Sequence, residues 1–250
     1  MKPVQYDRIA DSYLRVNPDP IHRYAVVPTV GKMAGDVAGR SVIDLACGSG
    51  VFCRLLKGKG ARRVVGIDIS SRQIALARAQ SRDPGIEYRQ MAAGEADEIF
   101  GEDFDLATAV FLLHYSDSKA KLRRMVRAIF RILKPGGRFA GIIQNPDLRF
   151  FEGINYRRRF RRTGSGRVRD GEKFFLEIYG EKAKLCEFYY FHWSRKAYEA
   201  AFAAAGFPGL DWVPLRVEPA GYPRYGRDVL EPFEKNPNLL GLTSVKPPVG

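Results

Sequence analysis

The feature of this 250-residue chain that most constrains its fold is an alternation of short apolar runs with helical segments between Ser41 and Ile143. The predicted strands are Val42–Ala46, Arg63–Asp68, Ile86–Arg89, Phe104–Val110 and Arg138–Ile143, and the predicted helices between them include Val51–Lys57, Ser71–Gln80 and Lys119–Leu133. Strands that alternate with helices form βαβ units with right-handed crossovers. The pattern therefore predicts an α/β fold with a doubly wound, mostly parallel sheet.

The segments on either side of this core follow other patterns. The start of the chain predicts helices, which Pro18 and Pro20 interrupt. After Gln144, two aromatic segments predict a small inserted antiparallel cap over the ligand edge of the sheet, followed by a helix and two more strands; the segments are Phe174–Tyr179, Cys186–Trp193, Arg195–Ala205, Asp211–Glu218 and Leu239–Lys246. We expect a single domain, made of an N-terminal helical lid (1–38), a cofactor-binding core (39–145), a substrate cap insertion (about 146–193) and a C-terminal completion of the sheet (194–250).

A glycine-bearing turn follows the first predicted strand, in the sequence Asp44-Leu-Ala-Cys-Gly-Ser-Gly50. Ligands of open α/β sheets bind outside such strand ends, and glycines let the backbone approach them closely. Asp68 ends the second strand, where its carboxylate can accept hydrogen bonds from both hydroxyls of a ribose. The alternatives are a plain structural turn and a helix N-cap near Ser70. The two motifs in register favour a ligand that contains adenosine.

The turn lacks the third glycine of the dinucleotide pattern, and the chain has no Gly-Lys-Ser/Thr phosphate loop. Asp44-x-x-x-Gly48-x-Gly50 with Asp68 instead resembles class I S-adenosylmethionine-dependent methyltransferases, as do the segments Phe104–His114 and Leu133–Gly137. Three further segments are similar to toxoflavin-synthase-like small-molecule methyltransferases of antibiotic pathways: Val4–Ala10, Gln144–Asp147 and Phe191–Tyr198. The resemblance implies N- or O-methylation of a small, heteroaromatic metabolite in specialised, or secondary, metabolism, by in-line displacement.

The resemblance implies S-adenosyl-L-methionine as cofactor and S-adenosyl-L-homocysteine as product. It assigns the cofactor to these positions: Tyr13, Asp44, Ala46, Gly48, Gly50, Asp68, Ile69, Gln73, Ala92, Ala93, Val110 and Phe111. Asp68 would bind the ribose, Ile69 would lie against adenine, and Asp44 would order the turn or meet the amino group through water. The acid usual near Ala92 is absent, so Glu95 or a backbone carbonyl would meet the adenine amine.

The acceptor side is predicted from residues after the fourth and fifth strands and in the cap. His114 is a candidate proton acceptor and Asn145 a candidate for orienting the acceptor; a structural histidine and a turn former before Pro146 are the alternatives. The expected substrate-binding residues are Tyr6, Tyr115, Tyr189, Tyr190, His192 and Trp193. Strand alternation puts Tyr189, Phe191 and Trp193 on one face and Tyr190 and His192 on the other, and leaves open which face lines the pocket.

Charge leaves a second interpretation open. The net charge is +13, and arginines are concentrated between Arg157 and Arg169, which suits either an anionic partner or an ordinary basic surface. An RNA methyltransferase and a non-catalytic cofactor-binding accessory protein are therefore kept as alternatives to a small-molecule methyltransferase, although we expect no nucleic acid partner. Cys47, Cys53 and Cys186 lack metal-ligand spacing, and no leader or apolar span is evident, so we expect a cytoplasmic protein without metal or membrane.

Overall fold

The structure, a computed structural model, describes residues 19–149, 154–155, 158–179 and 183–248. Its strands are β1 (Ser41–Leu45), β2 (Arg63–Asp68), β3 (Ile86–Gln90), β4 (Phe104–Val110), β5 (Leu133–Gln144), β6 (Ile154–Asn155), β7 (Arg158–Arg162), β8 (Lys173–Tyr179), β9 (Lys184–Phe191), β10 (Asp211–Pro214) and β11 (Leu239–Val245). Its helices are α1 (Val27–Ala34), α2 (Val51–Gly58), α3 (Ser71–Gln80), α4 (Ala96–Ile99), α5 (Lys119–Ile132), α6 (Arg195–Ala205), α7 (Tyr222–Tyr225) and α8 (Arg227–Lys235).

Seven strands form the main sheet, in the order β10-β11-β5-β4-β1-β2-β3. The neighbours from β3 to β5 run parallel, and β11 is antiparallel to both β5 and β10. The chain winds from β1 out to β3 and then returns to place β4 on the other side of β1. This reversal puts a crevice at the carboxyl ends of β1 and β4, where open α/β sheets bind ligands. The predicted doubly wound, mostly parallel sheet is confirmed.

Both faces of the sheet are covered, which explains why its strands are continuous apolar runs. On one face, Val42 and Val64 pack with α1, α2 and α8. On the other face, Ile43 and Val65 pack with α5 and α6. Two of these helices begin at serines whose Oγ accepts a backbone N–H: Ser118 before α5 and Ser194 before α6.

The predicted antiparallel cap is a four-stranded sheet in the order β6-β7-β8-β9. All three pairings are antiparallel, and the strands fall within the predicted range of about 146–193. Alternate residues of these strands form an apolar cluster of their own, which includes Phe160, Leu176 and Phe188. Tyr115, in the turn after β4, packs against this cluster. The second sheet therefore contacts the main sheet near the ligand edge.

Several stretches differ from the predictions. β5 begins at Leu133 instead of Arg138, because Leu133 pairs with Phe104 before the register shifts across the Pro-Gly-Gly bend. β10 ends at Pro214 instead of Glu218, and the buried Leu215 and Val217 pack into the core without joining the sheet. The helices α4, α7 and α8 and the strands β6 and β7 were not predicted.

The predicted N-terminal lid is described only from residue 19. A π-helical turn at His22–Val26 leads into α1, and Ala25, Val26 and Val30 are buried in the main core. This part of the segment is therefore a core element. Tyr6 and Tyr13 lie outside the described residues.

No helix in the part of the chain that the structure describes is both long and apolar enough to cross a membrane. Across the same residues, His, Cys, Asp and Glu side chains form no group of three or more that could hold a metal ion. The cytoplasmic location stays a prediction.

We expect Gly66→Ala to lower the free energy of unfolding by about 1–3 kcal/mol, the usual cost of overpacking a core. Gly66 lies in β2, where a Cβ would meet Cys53 Sγ at 2.7 Å and Cys47 Sγ at 2.9 Å. Gly58→Ala is the matched control, because a Cβ at the end of α2 meets nothing within 4 Å. The control should be neutral or stabilising by about 0.5 kcal/mol. Urea unfolding measures both, and equal stabilities would contradict the packing around Gly66.

Candidate functional site

A cavity of about 710 Å³ opens at the carboxyl ends of the parallel strands. Its walls come from the turns after β1, β2, β3 and β4, from α5, and from β9 of the second sheet. The volume lies within the range of ordinary small-molecule sites, roughly 300–1,000 Å³. The reversal of strand order and the covering sheet therefore create one substantial site.

The carboxylate of Asp68 joins the two motifs that the sequence singled out. Its Oδ2 accepts a hydrogen bond from the backbone N–H of Gly48 at 2.9 Å, and its Oδ1 accepts one from Ser70 at 2.9 Å. The helix N-cap of α3 is Ser70 itself, whose Oγ accepts from the Gln73 N–H. Each carboxylate oxygen can accept more than one hydrogen bond. Asp68 thus fixes the glycine turn, and it also lines the cavity.

Two cavity residues other than glycine adopt positive φ, Ala46 at 60° and Phe111 at 62°. They follow β1 and β4, the two strands that border the reversal. A side chain in this conformation costs about 1–3 kcal/mol and is found mostly at functional sites. Packing around the site therefore holds both turns in a strained shape.

Most predicted cofactor residues line this cavity: Ala46, Gly48, Asp68, Ile69, Gln73, Ala92, Ala93, Val110 and Phe111. Asp44 and Gly50 do not line it, and Tyr13 lies outside the described residues. Gly50 precedes α2 with φ of 82°, and a Cβ there would overlap the Tyr88 hydroxyl. Gly50 therefore shapes the turn, and its own atoms do not border the cavity.

Asp44 lies behind the turn and is 1% exposed. Its Oδ1 accepts a hydrogen bond from Thr108 Oγ1 at 2.7 Å, and Cys53 Sγ is 3.7 Å from its Oδ2. Burial raises the pKa of this carboxyl to about 7, which the hydrogen bonds from Thr108 and Cys53 only partly offset. Of its two predicted roles, this geometry favours ordering of the turn, because Asp44 ties β1 to β4 and α2.

The predicted adenine side holds Ile69, 48% exposed, at the open end of the cavity. Glu95 also lines the cavity, but Arg124 Nη2 is 3.8 Å from its carboxylate. Glu95 thus lies on the predicted adenine side, where the usual acid near Ala92 is absent. Its carboxylate is already close to the Arg124 guanidinium.

The cap strand β9 presents one of its faces to the cavity. Tyr189 and Phe191 line it together with Tyr115, whereas Trp193 is buried in the main core and donates from Nε1 to the Ser116 carbonyl at 2.9 Å. On the other face, Tyr190 packs against His114, with ring centroids 5.8 Å apart. His192 borders a separate small pocket. Tyr190, His192 and Trp193 were predicted to bind substrate, and the structure places all three away from the large cavity.

Asn145 also lies away from the large cavity. Its Nδ2 donates to the Pro237 carbonyl at 2.7 Å, and its Oδ1 accepts from the Asp147 N–H at 3.0 Å. With both ends of the amide engaged by backbone, the structure supports the alternative of a turn former over the predicted orienting role.

His114 is 1% exposed and lies next to the large cavity, in a smaller one of about 50 Å³. Its Nδ1 accepts a hydrogen bond from the Gln144 N–H at 3.3 Å. Burial lowers its pKa to about 3, so the ring is neutral near pH 7 and its proton sits on Nε2. The ring therefore offers a donor, and the predicted role as proton acceptor does not fit this arrangement.

Several residues that line the large cavity were not predicted from the sequence. They are His22, Cys47, Ser49, Val51, Phe52, Leu112, Asp117, Ala120, Lys121, Arg124 and Met125. Cys47 and Ser49 lie inside the glycine motif itself, so their proximity was available from spacing. His22 stands before a core helix and carries no motif, and only the folded structure brings it to the site. Burial lowers the pKa of His22 to about 4.

Comparison with known proteins gives a family match for the central part of the chain. A family model described as a methyltransferase domain matches residues 42–137. A curated ubiquinone biosynthesis O-methyltransferase from Pseudomonas fluorescens (strain SBW25) is 33% identical over 120 residues, which cover 46% of this chain and 50% of that protein. One from Pseudomonas entomophila (strain L48) is 33% identical over 114 residues, 44% and 47% respectively. The chain thus matches about half the length of these relatives.

Solved structures share the fold over most of the chain. An S-adenosylmethionine-dependent methyltransferase from Mesorhizobium loti superposes with a TM-score of 0.62 at 24% identity, and covers 88% of this chain and 96% of its own. The sugar N-methyltransferase KedS8 from Streptoalloteichus sp. superposes with a TM-score of 0.56 at 17% identity, covering 96% and 93%. At these identities the likeness shows the fold, which is the Rossmann-like one of this class.

Asp44 predicts a pH dependence of stability. Because folding raises its pKa from 3.8 to about 7, the stability that it contributes is fully present below pH 3.8 and is lost as the pH rises through 7. Between pH 5 and pH 8 the free energy of unfolding of the parent protein should fall, relative to that of Asp44→Asn, by on the order of 2 kcal/mol.

The asparagine keeps an acceptor for Thr108 and does not titrate. His22 and His114 have lowered pKa values and so act with the opposite sign, losing stability as the pH falls, but they are common to both proteins and cancel in the difference. Urea unfolding at the two pH values provides the measurement. Parallel pH profiles would show that Asp44 is ionised in the folded protein.

Proposed function

We propose that this chain, which carries a class I methyltransferase domain over residues 42–137, binds S-adenosyl-L-methionine and transfers its methyl group to a small molecule. The observation that carries the proposal is the cavity at the strand reversal, where Asp68 and the glycine turn meet beneath the covering sheet. The cofactor supplies the methyl group as an electrophile on a positively charged sulfur.

The residues present fit this cofactor. Gly48 and Ser49 bring backbone to the cavity wall, and Asp68 offers two oxygens at the end of β2, suited to a pair of ribose hydroxyls. Beyond Asp68, Ile69 and the Met91–Ala93 segment provide an apolar wall for a planar base. Ionised carboxylate acceptors make stronger hydrogen bonds than neutral ones, so Asp68 would contribute most of the specificity for the ribose.

Catalysis by this site consists chiefly of positioning. Holding two reactants in line can lower a barrier by roughly 7–11 kcal/mol without a strong acid or base. The neutral His114 and the fully engaged Asn145 are consistent with that chemistry. Phe111 and Tyr115 enclose the inner end of the cavity, and aromatic faces attract a cationic donor. In the transfer, a bond forms between the acceptor atom and the methyl carbon, and the carbon–sulfur bond breaks. If the methylated atom carries a proton, the acceptor releases it.

The acceptor that suits this cavity is small and planar. Tyr189 and Phe191 of β9 line one side of the cavity. Lys173 Nζ lies 3.9 Å from the centre of the Tyr189 ring, and this contact holds the ring in place. Aromatic side chains favour offset stacking on a planar ligand. A heteroaromatic metabolite of specialised or antibiotic metabolism rests on the motif resemblance alone. The names of the curated relatives favour an oxygen as the methylated atom, in ubiquinone biosynthesis.

The arginine-rich strand gives weak support to an RNA acceptor. Four of its arginines face carboxylates: Arg158 pairs with Asp19, Arg159 and Arg161 with Glu177, and Arg162 with Glu172. Arg161 also pairs with Glu187, at 2.9 Å. Nucleic-acid affinity depends on cations that are free to neutralise phosphates. The paired strand therefore accounts for part of the local charge without an RNA partner.

We expect Asp68→Asn to weaken S-adenosylmethionine binding by about tenfold to a hundredfold, because the ribose loses a charged acceptor. Asparagine keeps one acceptor oxygen, so one of the two hydrogen bonds from the Gly48 and Ser70 backbone N–H groups is lost and the protein should unfold at a somewhat lower temperature. Asp97→Asn is the control, since Asp97 pairs with Arg131 at 3.1 Å and does not line the cavity. Isothermal titration calorimetry gives both affinities, and unchanged affinity in Asp68→Asn would remove this residue from the site.

We expect the protein to transfer labelled methyl from S-adenosylmethionine into a low-mass aromatic compound. The measurement is incubation with a cell extract that has been separated into metabolite and RNA fractions. Label in RNA would overturn the choice of acceptor and would be tested further with Arg159→Gln and Arg161→Gln. Cofactor binding without transfer into any fraction would indicate a non-catalytic binding protein.

A further inference from the structure

The smaller cavity of about 50 Å³ lies between the ends of β4 and β5 and the inner face of the second sheet. It shares His22, Phe111 and Tyr115 with the large cavity, so the two are adjoining compartments. At ~15 Å³ for each water-sized group, it has room for about three such groups. It can therefore admit a substituent of a ligand held in the large cavity, but not a second ring.

His114, which lines this compartment, carries a donor for which the described part of the chain supplies no acceptor. His114 Nδ1 is engaged by the Gln144 N–H, which places the proton of the neutral ring on Nε2. Nε2 is buried and has no hydrogen-bond partner among the residues that the structure describes. A buried N–H without an acceptor costs free energy, so native structures almost always supply one. A ligand atom that accepts a hydrogen bond would complete this site.

The charges around the compartment balance within the described residues. Arg158 and Asp19 both line it and form an ion pair with each other. The ring of His22 is neutral, and Gln144 Oε1 accepts from Asn238 Nδ2 at 3.3 Å. A carboxylate or phosphate would enter without a net positive charge to compensate it, at a high cost of desolvation. An uncharged acceptor oxygen therefore fits better than an anion.

We propose that His114 donates its Nε2–H to an uncharged carbonyl oxygen of the methyl acceptor, which reaches into this compartment while the atom to be methylated stays in the large cavity. The inference rests on the proposed function and names the class of its substrate as a small carbonyl compound. No proton moves in this step. His114 binds and orients the acceptor, and its ring remains neutral throughout.

The first measurement is the tautomer of His114 by ¹⁵N NMR of the full chain saturated with S-adenosyl-L-homocysteine. The chain has only three histidines, so substitution of one identifies its signals. The proposal requires a neutral ring with its proton on Nε2 near pH 7. A proton on Nδ1, or a charged ring, would overturn it. This result does not depend on any methyl transfer, and separate cofactor titration reports whether the proposed function itself fails.

The second measurement uses acetone, labelled with ¹³C, as a carbonyl probe whose oxygen can enter the compartment while part of the molecule stays in the adjoining large cavity. We expect nuclear Overhauser effects from acetone to Leu176 and Ile178, which line it, and a downfield shift of the His114 Nε2 proton. The titration runs to the highest acetone concentration at which circular dichroism shows the fold intact. Absence of these contacts at that concentration would overturn the proposal.

Two substitutions separate donation from mere packing. His114→Asn keeps an acceptor near Nδ1 for the Gln144 N–H but lacks a donor that reaches as far as Nε2, and should weaken acetone binding about tenfold. His114→Gln places an amide N–H near Nε2 and should restore most of the affinity. Equal acetone affinity in His114→Asn and the parent protein would contradict the proposed hydrogen bond.

Discussion

The site depends on one interaction, the pair of hydrogen bonds by which Asp68 joins its own strand end to the glycine turn after β1. Gly48 has positive φ, and its backbone N–H donates to the Asp68 carboxylate. Without that carboxylate, the end of β2 would offer no acceptor to this N–H. A single side chain thus fixes the spacing between two parallel strand ends. That spacing defines the floor of the large cavity.

The remaining walls follow from the reversal of strand order. Because β4 returns beside β1, its turn meets the glycine turn across the crevice, and Ala46 and Phe111 adopt left-handed backbone on the two sides of it. Such conformations persist only where surrounding packing enforces them. Phe111 packs against the apolar cluster on one face of the main sheet and Ala46 against the cluster on the other, while Tyr189 and Phe191 of the second sheet line the same cavity. The core of the main sheet therefore holds the strained turns, and the second sheet covers the crevice between them.

Periodicity predicted the central sheet well, because strands buried on both faces are continuous apolar runs and the helices between them repeat at helical spacing. The cofactor side followed from motifs that lie at fixed places on such strands, as with Asp68. The residues on the acceptor side were harder to predict from the sequence. Alternation divided Tyr189 from Tyr190, but the choice of face depends on how β9 packs against the main sheet. His22 came to the site only through tertiary structure, from a segment without any motif.

The type of a residue does not by itself determine its protonation state or its ion-pair partners. His114 suggested a base from its ordinary pKa, yet the Gln144 N–H and complete burial turn the same ring into a neutral donor. The arginines of β7 suggested a polyanion, yet Glu177 of β8, Glu187 of β9 and Glu172 just before β8 pair with them. In both cases the deciding partner lies on another segment, 10 to 30 residues away in sequence. Function assigned from an isolated histidine or a net charge is therefore weaker than function assigned from the groups that surround it, and here those groups favour positioning of an uncharged acceptor.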